Sequence, residues 1–261
     1  LRALSREKLH IGAACGYNRR MRAGHLILAV FFGVAGCGLP APYAAPSASP
    51  FPAAPLPPEI AARNFITVLK TVQPIAEQVC AGAGTVQDCS FQIGIDDRPG
   101  QPPNAFQTVD DAGRPIIAFT LSLIADAQNP DELAFIMGHE AGHHIAGHLA
   151  RSEADAMQGA VFAGVLASVS GLGRASAERA AQMGAGIAAR RYSKTYELEA
   201  DLIGTRIALA AGYDPVLGAA FFDRLPDPGD RFLGSHPANR DRQALVLREA
   251  ARLRGMPAAQ P

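Results

Sequence analysis

A mainly helical α+β fold with a small antiparallel sheet beside one central helix is the class this sequence predicts, and three observations predict it. Apolar residues recur at helical spacing in several long segments, most clearly Phe65, Val68, Leu69, Val72, Ile75 and Val79. Phe91, Ile93 and Ile95 alternate as a strand does, Pro115 to Phe119 makes another short strand, and Asp110-Asp111-Ala112-Gly113 is a turn signal before it. Of 261 residues, a leader and a Pro-rich stretch leave roughly 200 for folding, which suits one domain with one sizeable core.

Taken in order, the chain opens with a leader over residues 1–36. Residues 1–20 begin with Leu1 and are polar, with Arg2, Arg6 and Lys8, so translation is expected to start at Met21. Arg19 and Arg20 would otherwise suggest a twin-arginine export signal. From Met21 a basic start at Arg22, an apolar run from Leu26 and the sequence Val34-Ala35-Gly36-Cys37 make a bacterial lipobox, which predicts cleavage before Cys37 and lipid on its sulfur. The apolar run falls short of the ~20 residues a membrane span needs. Gly38 is not the aspartate associated with inner-membrane retention, so the expectation is a lipid-anchored, periplasm-facing protein of the outer membrane.

Residues 37–58 carry Pro40, Pro42, Pro46, Pro50, Pro52 and Pro55 and read as an extended tether. The folded domain spans 59–255 and a tail 256–261. Its first helix begins near Glu59, with Pro74 expected to kink it. Cys80 and Cys89 are the two cysteines of the folded part, and export makes a disulfide between them the expectation. Asn129 as cap, Pro130 at the first helical position and Glu132 three residues after the cap mark the start of a second helix. Gly159 to Gly173 is apolar and, too short for a span, reads as a buried helical segment over the active site, with shallow bilayer contact as the other reading. Gly212 ends a helix that includes Leu202, Ile203, Ile207 and Leu209; Asp214-Pro215 opens another, and Pro237 to Leu253 makes the last.

The charge balance, Lys+Arg 24 against Asp+Glu 24, excludes a strongly electrostatic nucleic-acid binder. The chemistry is concentrated in His139-Glu140-Ala141-Gly142-His143. At 3.6 residues per turn, His139 and His143 lie only about 40° apart around a helix, so both imidazoles can address one ion. Glu140 stands on the rim of that face, where it can take a proton from a water whose pKa a zinc ion lowers towards about 7. On the same helical extrapolation His144 and His148 point away, about 100° from His143 and about 180° from His139, so neither is expected to touch the metal.

A catalytic zinc takes three protein ligands and keeps one position open. The pattern with a third histidine six residues after His143 and glycine three before it is excluded, because those positions hold Leu149 and Ala146. Tyr196-Glu197-Leu198-Glu199-Ala200-Asp201 supplies a carboxylate instead. Glu197 and Asp201 share one helix face as ligand and supporting carboxylate, while Glu199 lies about 200° around from Glu197.

GHEAGHH at 138–144, YELEAD at 196–201 and SHP at 235–237 together resemble the membrane-associated zinc metalloendopeptidases, a family that includes the CAAX prenyl proteases and the bacterial heat-shock metalloprotease. The resemblance implies a zincin-like domain with one zinc held by His139, His143 and Glu197, Glu140 as general base and Asp201 orienting a ligand histidine. It also implies that His236 lies near the metal, in a regulatory or oxyanion role, and that Asn104-Ala105-Phe106 belongs to an edge strand that receives substrate backbone. Tyr192, Tyr196 and Arg242 are further oxyanion candidates. The expected activity is zinc-dependent hydrolysis of peptide bonds in unfolded or misassembled envelope proteins. The competing reading is a noncatalytic zinc-containing lipoprotein that acts as a binding or chaperone module; Glu140 argues against it, since a structural site needs ligands but no base.

Overall fold

The computed structural model describes residues 55–171, 173–225 and 237–255, with the side chains of 188–192 outside the description. The leader, Cys37, most of the tether, His236 and the tail lie outside the described residues. Seven α-helices, one 3-10 helix and three strands are described: α1 (Pro58–Ala83), β1 (Gln92–Asp96), β2 (Ala105–Val109), β3 (Pro115–Thr120), α2 (Leu121–Asp126), α3 (Pro130–Ile145), α4 (His148–Val169), α5 (Arg174–Ala210), α6 (Pro215–Gly218), the 3-10 helix Ala219–Arg224 and α7 (Asn239–Gly255).

The predicted class holds, and the sheet is mixed where a wholly antiparallel one was expected. Its order is β1-β3-β2, with β1 parallel and β2 antiparallel to β3. The cause is composition. β3 is the most apolar strand, with Ile117, Phe119 and Thr120 buried, and it takes the centre; β1 leaves Ile95 exposed at one edge. The hairpin turn is the predicted one: the Asp110 carboxylate accepts from the backbone N–H of Ala112 and Arg114, and Gly113 supplies the positive φ of 81°. β2 is left at the other edge.

Helix α1 begins at Pro58 and runs through Pro74 without a break. Its buried stripe, Phe65, Val68, Val72, Ala76 and Cys80, packs with Phe119, Leu133 and Met137 in the main core, where Phe65 meets Phe119 edge to face at 5.1 Å. Cys80, near its end, is disulfide-bonded to Cys89. Helix α3 starts as its cap residues predict, since Asn129 Oδ1 accepts from Glu132 N at 2.9 Å. The return bond of a capping box is missing. The buried Glu132 carboxylate accepts instead from Gln128 N and from both terminal nitrogens of Arg224.

Three glycines set how close α3 comes to α5. A Cβ on Gly204 would stand 2.8 Å from the His139 backbone nitrogen, one on Gly138 3.0 Å from the Gly204 carbonyl oxygen, and one on Gly142 3.0 Å from the Ala200 carbonyl oxygen. The helices therefore touch backbone to backbone, which side chains at these positions would prevent. That approach brings Glu197 within reach of His139 and His143.

The segment from Gly159 departs from expectation. Its residues 159–169 lie in α4, and the large apolar side chains described there are exposed, Phe162 at 73% and Val169 at 76%. Helices α4 and α5 pack against one another through small residues, with Gly184 so near the Gly159 carbonyl that a Cβ has no room. The bulky side chains are thus directed outward, and the buried reading of this segment is wrong.

Candidate metal centre

His139 and His143 come from successive turns of α3, and Glu197 reaches them from α5. The two imidazole Nε2 atoms are 3.0 Å apart; His143 Nε2 lies 3.4 Å from Glu197 Oε1 and His139 Nε2 3.5 Å from Glu197 Oε2. Ligand atoms on a tetrahedral zinc with bonds near 2.0–2.1 Å stand about 3.3 Å from one another. The three separations bracket that value, and all candidate ligand atoms lie within 4.8 Å of each other. Two imidazole nitrogens and a carboxylate converging on one point call for a shared cation, and a divalent ion fits that donor set. The residues face a cleft of about 430 Å³. Glu140 lines it, as do Asn104, Ala105 and Phe106.

The surroundings favour positive charge at this point. Asp201 is wholly buried and accepts from His139 Nδ1–H at 2.9 Å and from Arg242 through both oxygens at 2.7 Å. Burial pushes the Asp201 carboxyl up, but the bonds from Arg242 and His139 outweigh it and hold the group below the ordinary carboxylate range. At His139 burial pushes the imidazole down; Asp201 and then Glu197 more than reverse this, raising it to about 10. Arg242 is clamped from its far side by the Phe222 ring, 4.0 Å below the guanidinium, and its Nη1 stands 3.3 Å from Glu197 Oε2.

The family model for peptidase family M48 matches residues 69–250. The chain belongs to peptidase family M48. M48 peptidases are zinc metalloproteases, and His139, His143 and Glu197 form a donor set that could hold such an ion. Among curated proteins the chain is similar to the mitochondrial metalloendopeptidase OMA1 of Arabidopsis thaliana, 30% identical over 144 residues, 52% of this chain and 28% of that protein. It is also similar to a putative beta-barrel assembly-enhancing protease of Vibrio cholerae serotype O1, 31% identical over 121 residues, 42% of this chain and 24% of that protein. The chain spans about a quarter of the length of these curated relatives.

Within this M48 domain the structure sorts the remaining sequence candidates. His144 is structural: its Nε2–H donates to the Asp88 carbonyl at 2.7 Å, and its ring meets Phe91 edge to face, so it ties the disulfide loop to the end of α3. Tyr196 lines the cleft, with its hydroxyl donating to the Asp155 carboxylate. Arg242 is spent on Asp201 and Glu197. His236 and the Tyr192 side chain lie outside the described residues.

His148 was misplaced by sequence reasoning. Extending the α3 periodicity to it ignores Gly147, which adopts φ 66° and ends one helix before His148 starts the next. The turn folds His148 back, so that its Nδ1 lies 2.9 Å from His143 Nδ1. The glycine was the signal that could have shown this.

Proposed function

We propose that this chain is a zinc-dependent endopeptidase in which His139, His143 and Glu197 hold one zinc ion and Glu140 is the general base. The observation that carries the reading is the convergence of these four side chains on one cleft whose wall includes β2 at the edge of the sheet. A zinc ion held there would supply Lewis-acid activation of a water and of the scissile carbonyl. Glu140 accepts the proton of the attacking water and returns it to the leaving amine. Asp201 fixes the Nδ1–H tautomer of His139, leaving Nε2 as the ligating atom. Ala105 to Val109 has β3 on one side only, and an extended substrate can pair with the opposite edge, which sets its scissile bond beside Glu140.

The same proposal places the enzyme in the cell envelope, tethered through lipid on Cys37, with unfolded or misassembled envelope proteins as substrates. The lipobox at 34–37 and the Pro-rich tether support the anchor, and Gly38 supports the outer membrane. The name of one relative, a metalloendopeptidase, supports internal cleavage. The test is casein degradation with zinc content measured in parallel. Glu140→Gln should keep its zinc and lose about 10²–10⁴-fold in turnover. Equal activity in the two proteins sinks the mechanism, and full zinc without activity in either points to the binding module.

A further inference from the structure

The ligand histidines are held by two different devices. His139 meets a carboxylate directly, through Asp201. His143 meets another histidine. His148 Nδ1 lies 2.9 Å from His143 Nδ1, and His148 Nε2 lies 3.1 Å from Glu199 Oε2. Glu199 Oε2 also accepts from Arg151 Nη1 at 2.8 Å. The His148 ring is stacked on Tyr196 at 4.5 Å, and the Arg151 guanidinium lies over the ring of that tyrosine at 4.4 Å.

Two Nδ1 atoms in contact require one donor and one acceptor. Glu199, an acceptor only when ionised, requires the proton of His148 to sit on Nε2, so His148 Nδ1 is the acceptor. His143 must then carry its proton on Nδ1, and its Nε2, turned towards His139 and Glu197, is left with the lone pair. The opposite assignment would place a proton on His143 Nε2, where a cation should bind.

We propose that Glu199 and His148 form a positioning relay that fixes the ring orientation and tautomer of His143, extending through one extra imidazole the service that Asp201 gives His139. The relay rests on the reading of His143 as a metal ligand. His148 lines the cleft beside His143 but is not one of the three converging donors, so its service to the metal runs through His143. Arg151 holds Glu199 ionised and aimed, and the Tyr196 ring fixes the plane of His148. Partners of ligand histidines set their basicity, and losing one commonly weakens metal binding 10–100-fold.

The test is zinc affinity of the full chain by competition with a chromophoric chelator, with cobalt(II) as a spectroscopic probe. His148→Phe keeps the volume and the stack on Tyr196 and removes the acceptor. Its zinc dissociation constant should rise at least about tenfold, and its cobalt visible bands should shift, while unfolding in excess chelator stays like wild type. His148→Asn, whose Oδ1 stands near the Nδ1 position, should recover part of the loss. Glu199→Gln, at the half-exposed end of the relay, should weaken zinc in the same direction, and adding it to His148→Phe should cost nothing more. Wild-type zinc affinity and an unshifted cobalt spectrum in His148→Phe overturn the relay. So does an additive double variant. If His148→Phe fails to fold, Glu199→Gln alone decides by the same readouts. No zinc bound by wild type overturns the ligand reading itself, and His143→Ala with wild-type affinity does the same; both are distinguishable from failure of the relay alone.

Discussion

Single residues here separate into those that hold one charge and those that hold several helices through a charge. Glu249 is of the second kind. It is 7% exposed at its side chain and accepts from Arg206 Nε on α5 at 2.8 Å and from Arg252 on its own helix at 2.7 and 2.8 Å. The Arg252 bond lowers the carboxyl most, burial opposes it and Arg206 adds to the lowering, which brings the group to about 2. A folded pKa below the unfolded value of about 4.3 stabilises the protein above that value, and the contribution fades as pH falls towards 2. Both arginines remain half exposed, so screening limits the effect to about 1 kcal/mol. Urea midpoints measured from pH 5 to 2 should therefore fall less steeply in Glu249→Gln than in wild type; parallel curves would refute the assignment. At this scale the sequence was most informative where spacing constrains geometry, as at His139, Glu140, His143 and Glu197. It offered Arg242 only as an oxyanion candidate and missed its grip on Asp201, which joins residues 41 positions apart and leaves no local pattern.

Among elements, the contact of α3 with α5 matters most to the site. Gly138, Gly142 and Gly204 let the two backbones meet, and only then do ligands from different helices share one point. Helix propensity alone would favour alanine over glycine at 204 by about 1 kcal/mol. A Cβ there meets the His139 backbone at 2.8 and 3.0 Å, and backbone cannot rotate aside as a side chain can. Gly204→Ala should lose about 1–2 kcal/mol in denaturant unfolding and bind zinc more weakly; a gain in stability would show that propensity dominates. The helices, their caps and the hairpin turn were legible because each follows from local periodicity or turn chemistry. Sheet order was not, since β3 wins the centre by outcompeting β1 for burial, a nonlocal contest. The outward face of α4 was misread for a related reason: hydrophobicity says that a segment tends to be buried, while Gly159 and Gly184 decide which side packs.

Across the whole molecule, the described residues form a helical M48 domain built around α3. The disulfide loop is fastened to its end, with Thr85 Oγ1–H donating to the Ile145 carbonyl and His144 donating to Asp88. One ligand histidine is braced from α5 and α7 by Asp201 and Arg242, the other from α4 and α5 by His148 and Glu199. This frame is proposed to hold one zinc through His139, His143 and Glu197, with Glu140 beside it. Zinc per chain, measured by mass spectrometry on wild type, Glu140→Gln, His139→Ala and Glu197→Ala after removal of loosely bound metal, tests it most directly. One zinc per chain is expected in the first two and a near-complete loss in the last two. One zinc retained in either ligand variant, or none in wild type, would contradict it.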